Sequence, residues 1–477
     1  MKTFFLSLKR SVLALSTLFC LGMSSTAFGQ TDGLKGNSAI DIMKNIKVGW
    51  NLGNSLDATG GSGLTSETSW GNPKTTQRLI DSVKAAGFNA IRVPVSWGTH
   101  TSNNGTYTYA VDAQWMARVK EVVDYCYNRG MYVIINLHHD DSYFFPSSDK
   151  LNNSTLYVKE MWTQIAHEFA NYDQHLIFET LNEPRLVGDT YEWWFVKNYP
   201  ASQVSDAISC INSLNQTAVS AIRSVNEGYN LDRVISCPGY DASIDGCTVS
   251  TFQMPTDNVS NRLCVSIHAY LPYNFCASTD QSNADFRTFT SSDASQILDL
   301  YRQISSSFTS KGIAAYIGET GCSNKDDREE IAKWVACFFG YSKSYSIPCF
   351  LWDNNNFYKG GAYSAEYFGL LNRSTLTWGE QSTIDAVMTT LGITPGDVIE
   401  TLANSTSVYA SQGRLYASCS ATINRIEVYG INGTALSSAQ FGGETSAELE
   451  LPALQSRVAI VVIYTSAGKV VKKVMLQ

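Results

Sequence analysis

The sequence contains two apolar runs, MYVIINLHH (131–139) and HLIFETLNEP (175–184), on either side of the segment TLYVKEMWTQIAHEFANY (155–172). The segment between the runs repeats its apolar residues at the three- and four-residue spacing of a helix face. Short, nearly continuous apolar strands joined by a helix are typical of a parallel sheet whose faces are covered by helices. We therefore predict a strand–helix–strand unit in this part of the chain.

The same alternation extends from about residue 40 to residue 394. Six further runs have strand character: KVGWNLGN (47–54), FNAIRVPV (88–95), RVISCPG (233–239), LCVSIHAY (263–270), AAYIGETG (314–321) and PCFLWDN (348–354). A long helical pattern, VDAQWMARVKEVVDYCYNRG (111–130), ends in Gly130, which suits a helix C-cap. Eight strands that each precede a helix predict an α/β fold, a (β/α)8 TIM barrel, for residues 30–394.

Residues 395–477 have a different pattern. Helical periodicity is replaced by short alternating runs: RIEVYG (425–430), AELELPA (447–453), VAIVVIYTSAG (458–468) and VVKKVMLQ (470–477). Alternation with a period of two residues, interrupted by Asn-Gly and Ala-Gly, predicts antiparallel strands joined by turns. We expect a small, sandwich-like, all-β C-terminal module, although no Pro/Thr-rich linker marks where it begins.

The first 29 residues resemble a signal peptide. Basic residues (Lys2, Lys9 and Arg10) precede an apolar stretch from Val12 to Met23, and small residues follow at Ala27 and Gly29. The apolar stretch is too short to span a bilayer, so we expect no membrane insertion. The predicted location is secreted or cell-surface. Removal of the peptide leaves ten cysteines in an oxidising environment, where disulfides are permitted, but the sequence does not define their pairing.

Composition narrows the classes of ligand. The formal net charge of −8 argues against nucleic acid as a partner. The cysteines and histidines lack the spacing of a metal site, and no glycine-rich phosphate loop occurs, so we expect neither a metal nor a cofactor. Aromatic residues make up 12% of the chain and could stack on sugar rings, although packing in the core explains most of them equally well.

Polar residues end most of the strand-like runs. In a barrel of this kind, the C-terminal ends of the strands surround the active site. The residues predicted to meet there are Asn51, Arg92, His138, His139, Asn182, Glu183, His268, Tyr270, Glu319 and Trp352. Each one alone could be a packing residue or a surface ion pair, but packing does not explain why successive strands deliver such residues to one rim.

Two of these residues are carboxylates on the fourth and seventh runs, Glu183 and Glu319. Cleavage of a glycosidic bond needs such a pair, one to protonate the leaving oxygen and one to attack the anomeric carbon or activate water. A separation of about 5 to 5.5 Å implies retention of configuration and one of about 6.5 to 9.5 Å implies inversion. We expect neighbouring groups to raise the pKa of the acid and to keep the nucleophile ionised. Glu179, four residues before Glu183, is expected inside the barrel.

The motif LIFETLNEPR (176–185) resembles the signature of glycoside hydrolase family 5, the cellulase family. The resemblance extends from about Ile40 to Ile393 and includes GWNLGNSLDA (49–58), SWGNPKTT (69–76), FNAIRVPVSW (88–97), NLHHD (136–140), SIHAYLPYNF (266–275), YIGETG (316–321) and FLWDN (350–354). The pattern is most similar to the subfamily 4 endoglucanases, xyloglucanases and mixed-linkage glucanases.

The resemblance implies a role for each rim residue. Glu183 would be the acid/base and Glu319 the nucleophile of a retaining enzyme. Arg92 and Tyr270 would hold Glu319, and Asn182 would bind the sugar 2-hydroxyl. The remaining roles are contacts with sugar hydroxyls for His138 and His268, a stacking platform for Trp352, and substrate contact or a supporting position for His139 and Asn51.

The C-terminal module has a resemblance of its own. The runs INRIEVYGINGTAL (423–436) and VVIYTSAGKVVKKVMLQ (461–477) are similar to the sorting domain of the type IX secretion system, which implies the secretion machinery as a partner. The usual Tyr-Pro-Asn-Pro opening is present only as VYAS (408–411). A carbohydrate-binding module or an inert β-cap are the alternatives, and the absence of Trp after Trp378 disfavours the first of them.

The function expected from the sequence is a secreted, retaining endo-β-1,4-glucanase that cleaves β-glucan through a covalent glycosyl-enzyme. A xyloglucanase, lichenase, xylanase or mannanase could use the same residues. A glycan-binding surface protein that has kept the fold without turnover is the alternative from another class.

Overall fold

The computed structural model describes residues 37–193, 197, 200–393 and 406–475, the last range without 412, 420, 432, 452–457 and 466–467. Eight parallel strands close into a barrel in which each strand pairs with its neighbours in chain order and β1 pairs with β8. Their bounds are Gly49–Asn51 (β1), Ala90–Val93 (β2), Tyr132–Asn136 (β3), Leu176–Glu179 (β4), Ile235–Pro238 (β5), Leu263–His268 (β6), Ala314–Thr320 (β7) and Cys349–Leu351 (β8). All eight strand-like runs of the sequence are thereby confirmed as barrel strands.

A helix follows each strand. The helices are Gln77–Ala85 (α1), Ala113–Tyr127 (α2), Leu151–Glu168 (α3), Ser202–Ser224 (α4), Ile244–Thr248 (α5), Ser291–Ser307 (α6), Arg328–Tyr345 (α7) and Gln381–Leu391 (α8). Among the described residues, no helix is both long enough and apolar enough to cross a membrane.

Local chemistry explains where the helices begin and end. Asp112 caps α2 by accepting hydrogen bonds from the first-turn amides, and Gly130 follows the helix at a φ of 65°, which glycine adopts without strain. Helix α3 begins at Leu151, four residues before the start predicted from its pattern. Asn and Ser are poor interior helix formers, but Ser154 is buried and its hydroxyl accepts a hydrogen bond from the Phe145 amide, so tertiary contacts override propensity.

The barrel is filled and closed at its N-terminal end. A helix at Ala39–Asn45 precedes β1, and its Ile42 and Met43 pack with residues at the beginnings of the strands. The opposite, C-terminal end of the barrel carries the rim residues. Burial of the strands on both faces explains why their sequence is nearly continuously apolar.

The C-terminal residues form two antiparallel sheets. The strands are Ser407–Ser411 (β9), Arg414–Ser418 (β10), Ile423–Gly430 (β11), Ala435–Gln440 (β12), Ser446–Glu450 (β13), Val458–Thr465 (β14) and Gly468–Met475 (β15). Their orders are β9-β10-β13 and β12-β11-β14-β15. Leu415 of the first sheet and Ile426 and Val461 of the second belong to one buried cluster, as expected of a sandwich-like module. The predicted signal peptide and the predicted junction at residues 394 and 395 lie outside the described residues.

Candidate active site

Two carboxylates from distant parts of the chain meet at the C-terminal mouth of the barrel. Glu183 lies four residues beyond the end of β4, and Glu319 is the penultimate residue of β7. One oxygen of each carboxylate and a ring nitrogen of His268 all lie within 4.8 Å of one another. The two acidic groups are therefore close enough to act on one bond.

Glu319 is held by two hydrogen-bond donors. Arg92 donates from Nη1 to one oxygen at 2.6 Å, and the Tyr270 hydroxyl donates to the other at 2.9 Å. Burial and the charges of Glu319 and Glu183 raise the pKa of Tyr270, so its hydroxyl keeps the proton that it donates. Both oxygens of Glu319 therefore have fixed positions.

Arg92 is fully buried and connects several rim residues. Its Nε donates to Glu179 at 2.7 Å, its Nη1 also donates to Asn51 at 3.0 Å, and its Nη2 donates to Asn182 at 2.7 Å. Burial disfavours the guanidinium charge, but the charges of Glu179 and Glu319 outweigh burial and raise the pKa of Arg92. The guanidinium thus remains charged and rigid beneath the site.

Glu179 lies inside the barrel, as expected, and all its bonding capacity is used there. One oxygen accepts from Arg92 and from Asn136, at 2.7 and 3.0 Å. The other accepts from Ser266 and from Tyr316. Glu179 is fully buried, so its place is in the supporting network.

Glu183 is paired with His268, whose Nδ1 lies 2.7 Å from a carboxylate oxygen of Glu183. Burial opposes ionisation of Glu183, but the hydrogen bond from His268 and the charges of His268, Arg185 and His139 lower its pKa to about 2. Burial also opposes the charge on His268, but Glu319 and Glu183 raise its pKa. The sequence-based expectation of a raised pKa for the acid is therefore wrong for the free protein, because cationic neighbours surround Glu183.

The protonation of His138 follows from its hydrogen bond. The Asn136 side chain accepts from the Val95 amide through its oxygen, so its nitrogen must face the His138 Nδ1, 3.1 Å away. Nδ1 therefore accepts, and the ring proton lies on Nε2. Burial and the nearby charges of His139 and Arg92 lower the pKa of His138 well below its usual value, so the ring is neutral.

Trp352 forms a flat wall parallel to the His138 ring. The ring centroids are 6.1 Å apart and the planes differ by 3°. The indole packs so closely on Gly53 that a Cβ at that position would come within 2.6 Å of the ring. Glycine at position 53 is therefore required for the placement of the indole.

The other predicted residues take different positions. His139 is half-buried and its ring lies 5.5 Å from that of Trp70, which is 42% exposed. Asn51 is fully buried, and its amide donates to the Gly318 carbonyl at 2.9 Å. Asn51 therefore supports Arg92 from inside the barrel, whereas His139 faces the exposed ring of Trp70.

Sequence reasoning missed a second group beside Glu183. Arg185 donates to the Glu183 carbonyl at 2.9 Å and lies 3.8 Å from its carboxylate. Arg185 also pairs with Glu192 at 3.2 Å and lies under the Trp193 ring, 3.9 Å from its centroid. The only sequence signal was the position of Arg185 within the LNEPR motif, because Glu192 and Trp193 lie in a loop.

Two groups of side chains in the described part of the chain have the spacing of a cation site: Glu183 with His268 and Glu319, and Asp57 with His138 and His139. In the first group both carboxylates already have partners, because His268 lies 2.7 Å from Glu183 and Arg92 donates to Glu319 at 2.6 Å. In the second, both Asp57 oxygens accept backbone amides, from Asn54 and Ser55. Neither group has further features that indicate a metal.

A family model described as cellulase (glycosyl hydrolase family 5) matches residues 56–358. The chain belongs to glycosyl hydrolase family 5. It is similar to endoglucanase A of Clostridium longisporum, with 39% identity over 74% of this chain and 65% of that protein, so it spans about two thirds of that relative. It is also similar to endoglucanase A of Ruminococcus albus, with 37% identity over 74% of this chain and 92% of the relative.

A solved structure supports the same relationship. It is the structure of a GH5-4 broad specificity endoglucanase from Ruminococcus champanellensis with bound cellotriose. That enzyme is 42% identical to this chain and superposes with a TM-score of 0.67, and the match covers 74% of this chain and 98% of that one. The residues matched by the family 5 model include every predicted rim residue except Asn51. As a family 5 member, the protein is a glycoside hydrolase.

Proposed function

We propose that this family 5 protein is a secreted, retaining endo-β-1,4-glucanase in which Glu183 is the acid/base and Glu319 the nucleophile. The observation that carries the proposal is the approach of their carboxylate oxygens to within 4.8 Å. Retaining glycosidases place the two carboxyl groups about 5 to 5.5 Å apart, whereas inverting enzymes need room for a water molecule.

In the first step, an oxygen of Glu319 attacks the anomeric carbon while Glu183 protonates the leaving oxygen. The bonds from Arg92 and Tyr270 orient Glu319 for this attack. The pKa of Glu183 is lowered and that of His268 is raised, so we propose that in the free protein the proton needed by the leaving group lies on His268, whose Nδ1 is 2.7 Å from Glu183. We propose that it passes along this hydrogen bond to Glu183 as the glycosidic bond breaks.

In the second step, Glu183 acts as the base. It removes a proton from a water molecule that attacks the anomeric carbon from the side of the departed sugar, and the bond to Glu319 breaks. Two inversions at one carbon give a product with the configuration of the substrate.

The substrate contacts follow from the rim. His138 presents an N–H from Nε2, Asn182 has its oxygen fixed by Arg92, and Trp352 offers a flat face. A β-1,4-linked glucan is the proposed substrate because the relatives are endoglucanases. Xyloglucan, lichenan, xylan and mannan remain alternatives for the same machinery. A silent glycan-binding protein is disfavoured because both carboxylates have their supporting partners in place.

We also propose the domain organisation and route of export. Residues 1–29 would be a signal peptide, 30–394 the catalytic domain and 395–477 a sorting module recognised by a secretion machinery. Deletion of residues 395–477 is expected to leave hydrolysis unchanged and to retain the enzyme in the cells of a host with a type IX system. Normal export of the truncated chain would contradict the sorting role.

The catalytic proposal is tested with Glu183→Gln and Glu319→Gln. The control is Glu227→Gln, because the Glu227 carboxylate is exposed and pairs with His167 instead of a residue of the site. We expect both active-site variants to lose hydrolysis of carboxymethyl cellulose, lichenan and xyloglucan, and the control to keep it. With a dinitrophenyl β-cellobioside, whose leaving group needs no proton, Glu183→Gln should still release dinitrophenol in a first burst, whereas Glu319→Gln should not. NMR of the first product should show the β-anomer, and an α-anomer would overturn the retaining assignment.

A further inference from the structure

Two loops at the barrel mouth run side by side next to Glu319. One follows β6 and includes the short helix Tyr273–Cys276, and the other follows β7. The Ala269 amide donates to the Glu319 carbonyl at 2.9 Å, and the Ser323 amide donates to the Cys276 carbonyl at 2.7 Å. Two backbone hydrogen bonds therefore link the segment 269–276 to the segment 319–323.

A pair of cysteines lies beside the second of these two bonds. The sulfur atoms of Cys276 and Cys322 are 3.1 Å apart, although the residues are 46 positions apart in the sequence. A disulfide bond needs sulfurs at about 2.05 Å, so a shift of about 1 Å joins them. Cys276 is buried and Cys322 half-buried, and Cys322 is three residues beyond Glu319.

We infer that Cys276 and Cys322 form a disulfide that cross-links the loop carrying Tyr270 to the loop that follows the Glu319 strand. The inference rests on the proposed export, because a disulfide persists in an oxidising compartment. The cross-link closes the loop of chain between Cys276 and Cys322, which are 46 positions apart. It restrains the two loops that position Tyr270 against Glu319. It is a covalent feature distinct from the hydrolytic chemistry.

The oxidant is the disulfide of a thiol–disulfide oxidoreductase. The two cysteines lose two electrons and two protons as the S–S bond forms, and the oxidoreductase disulfide takes up both and becomes a dithiol. Burial and the neighbouring Cys276 raise the pKa of Cys322, so its thiolate is scarce once the site has folded. We therefore expect the bond to form during folding, while both sulfurs are still accessible.

Peptide mapping tests the bond directly. The full-length enzyme is exported to an oxidising compartment and denatured in the presence of iodoacetamide, which alkylates free thiols. It is then digested with trypsin without reductant. We expect residues 263–287 and 312–325 to be recovered as one linked species that separates on reduction, with fragmentation placing the link at Cys276 and not at Cys264. Recovery of both peptides fully alkylated would overturn the inference.

Thermal unfolding provides a second readout. Reductant should lower the melting temperature of the wild type by about 5 °C, as expected for a cross-link that closes a loop of this length. In Cys276→Ser and Cys322→Ser the reductant should have no such effect, whereas Cys337→Ser, a half-buried cysteine elsewhere, should keep it. An equal reductant effect in all three variants would contradict the assignment.

Glucan hydrolysis is measured on a portion of each enzyme sample before it is denatured for peptide mapping. A linked peptide with no hydrolysis would support the disulfide and refute the proposed function. If the sample hydrolyses glucan and its peptide map shows both Cys276 and Cys322 alkylated, the disulfide alone would be refuted.

Discussion

Tyr270→Phe tests how much the hydroxyl on Glu319 contributes to catalysis. The substitution removes one hydrogen bond of 2.9 Å to a carboxylate and keeps the ring that packs beside Phe368. Hydrogen bonds to charged groups contribute about 1.5 to 3 kcal/mol. If the whole bond serves the transition state, kcat/KM should fall by about 10- to 150-fold. The 2.6 Å bond from Arg92 remains, which is why activity should fall and not vanish.

The assay compares two substrates. Lichenan needs both carboxylates, whereas a dinitrophenyl β-cellobioside needs chiefly the nucleophile, so Tyr270→Phe should lower kcat/KM on both. Tyr125→Phe is the matched control, because its hydroxyl binds the Glu121 carboxylate at 2.7 Å outside the site. A change of less than threefold in the Tyr270 variant, with an unchanged melting temperature, would refute the idea that this hydroxyl orients the nucleophile.

Two further perturbations test the wall and the histidine. Gly53→Ala places a Cβ about 2.6 Å from the Trp352 ring, so we expect the ring to shift, KM for lichenan to rise and the stability to fall by about 1 to 3 kcal/mol. The control Gly340→Ala adds a Cβ in open space inside α7, so it should leave KM unchanged and raise the stability by about 0.5 to 1 kcal/mol. The second perturbation concerns the His268–Glu183 pair. The lowered pKa of Glu183 stabilises the folded protein above pH 4.5, and this stability is lost as the pH falls through about 2. The raised pKa of His268 stabilises the folded protein below pH 6.5, and this stability is lost as the pH rises through the pKa of His268 in the folded protein. The difference in melting temperature between wild type and His268→Gln should therefore be largest between about pH 4.5 and 6.5; a difference that grows above pH 8 would show that the pair is not charged as described.

The fold could be predicted because each barrel strand is buried on both faces and each helix on one. A strand buried on both faces is a short continuous apolar run, whereas a helix buried on one face repeats its apolar residues every three or four positions. Both patterns can be recognised within a short stretch of sequence. The rim residues were predictable for a related reason, since parallel strands deliver their C-terminal residues to the same edge. Knowledge of the strand ends at His268 and Glu319 was enough to place both side chains near the mouth of the barrel.

The remaining properties of the site depend on distances between residues far apart in the sequence. Whether Asn51 faces a substrate or supports Arg92 is decided by packing across 41 residues of chain. The direction of the pKa shift of Glu183 depends on His268, 85 residues away, at a distance of 2.7 Å. Strand periodicity carries no information on either contact, because it fixes the side of a strand and not the atoms that meet there.

The buried ion pair between Arg92 and Glu179 explains how the site tolerates a change of charge. In the proposed reaction, Glu319 becomes an ester and loses its negative charge while Arg92 remains fully buried beside it. An arginine with no other partner would then be an unpaired buried charge, which is strongly destabilising. Glu179 prevents this, because its 2.7 Å bond to Arg92 persists and its own oxygens are satisfied by Asn136, Ser266 and Tyr316. Glu179, the last residue of β4, therefore gives Arg92 a partner that takes no part in the reaction, and this allows Glu319 to be the carboxylate that reacts.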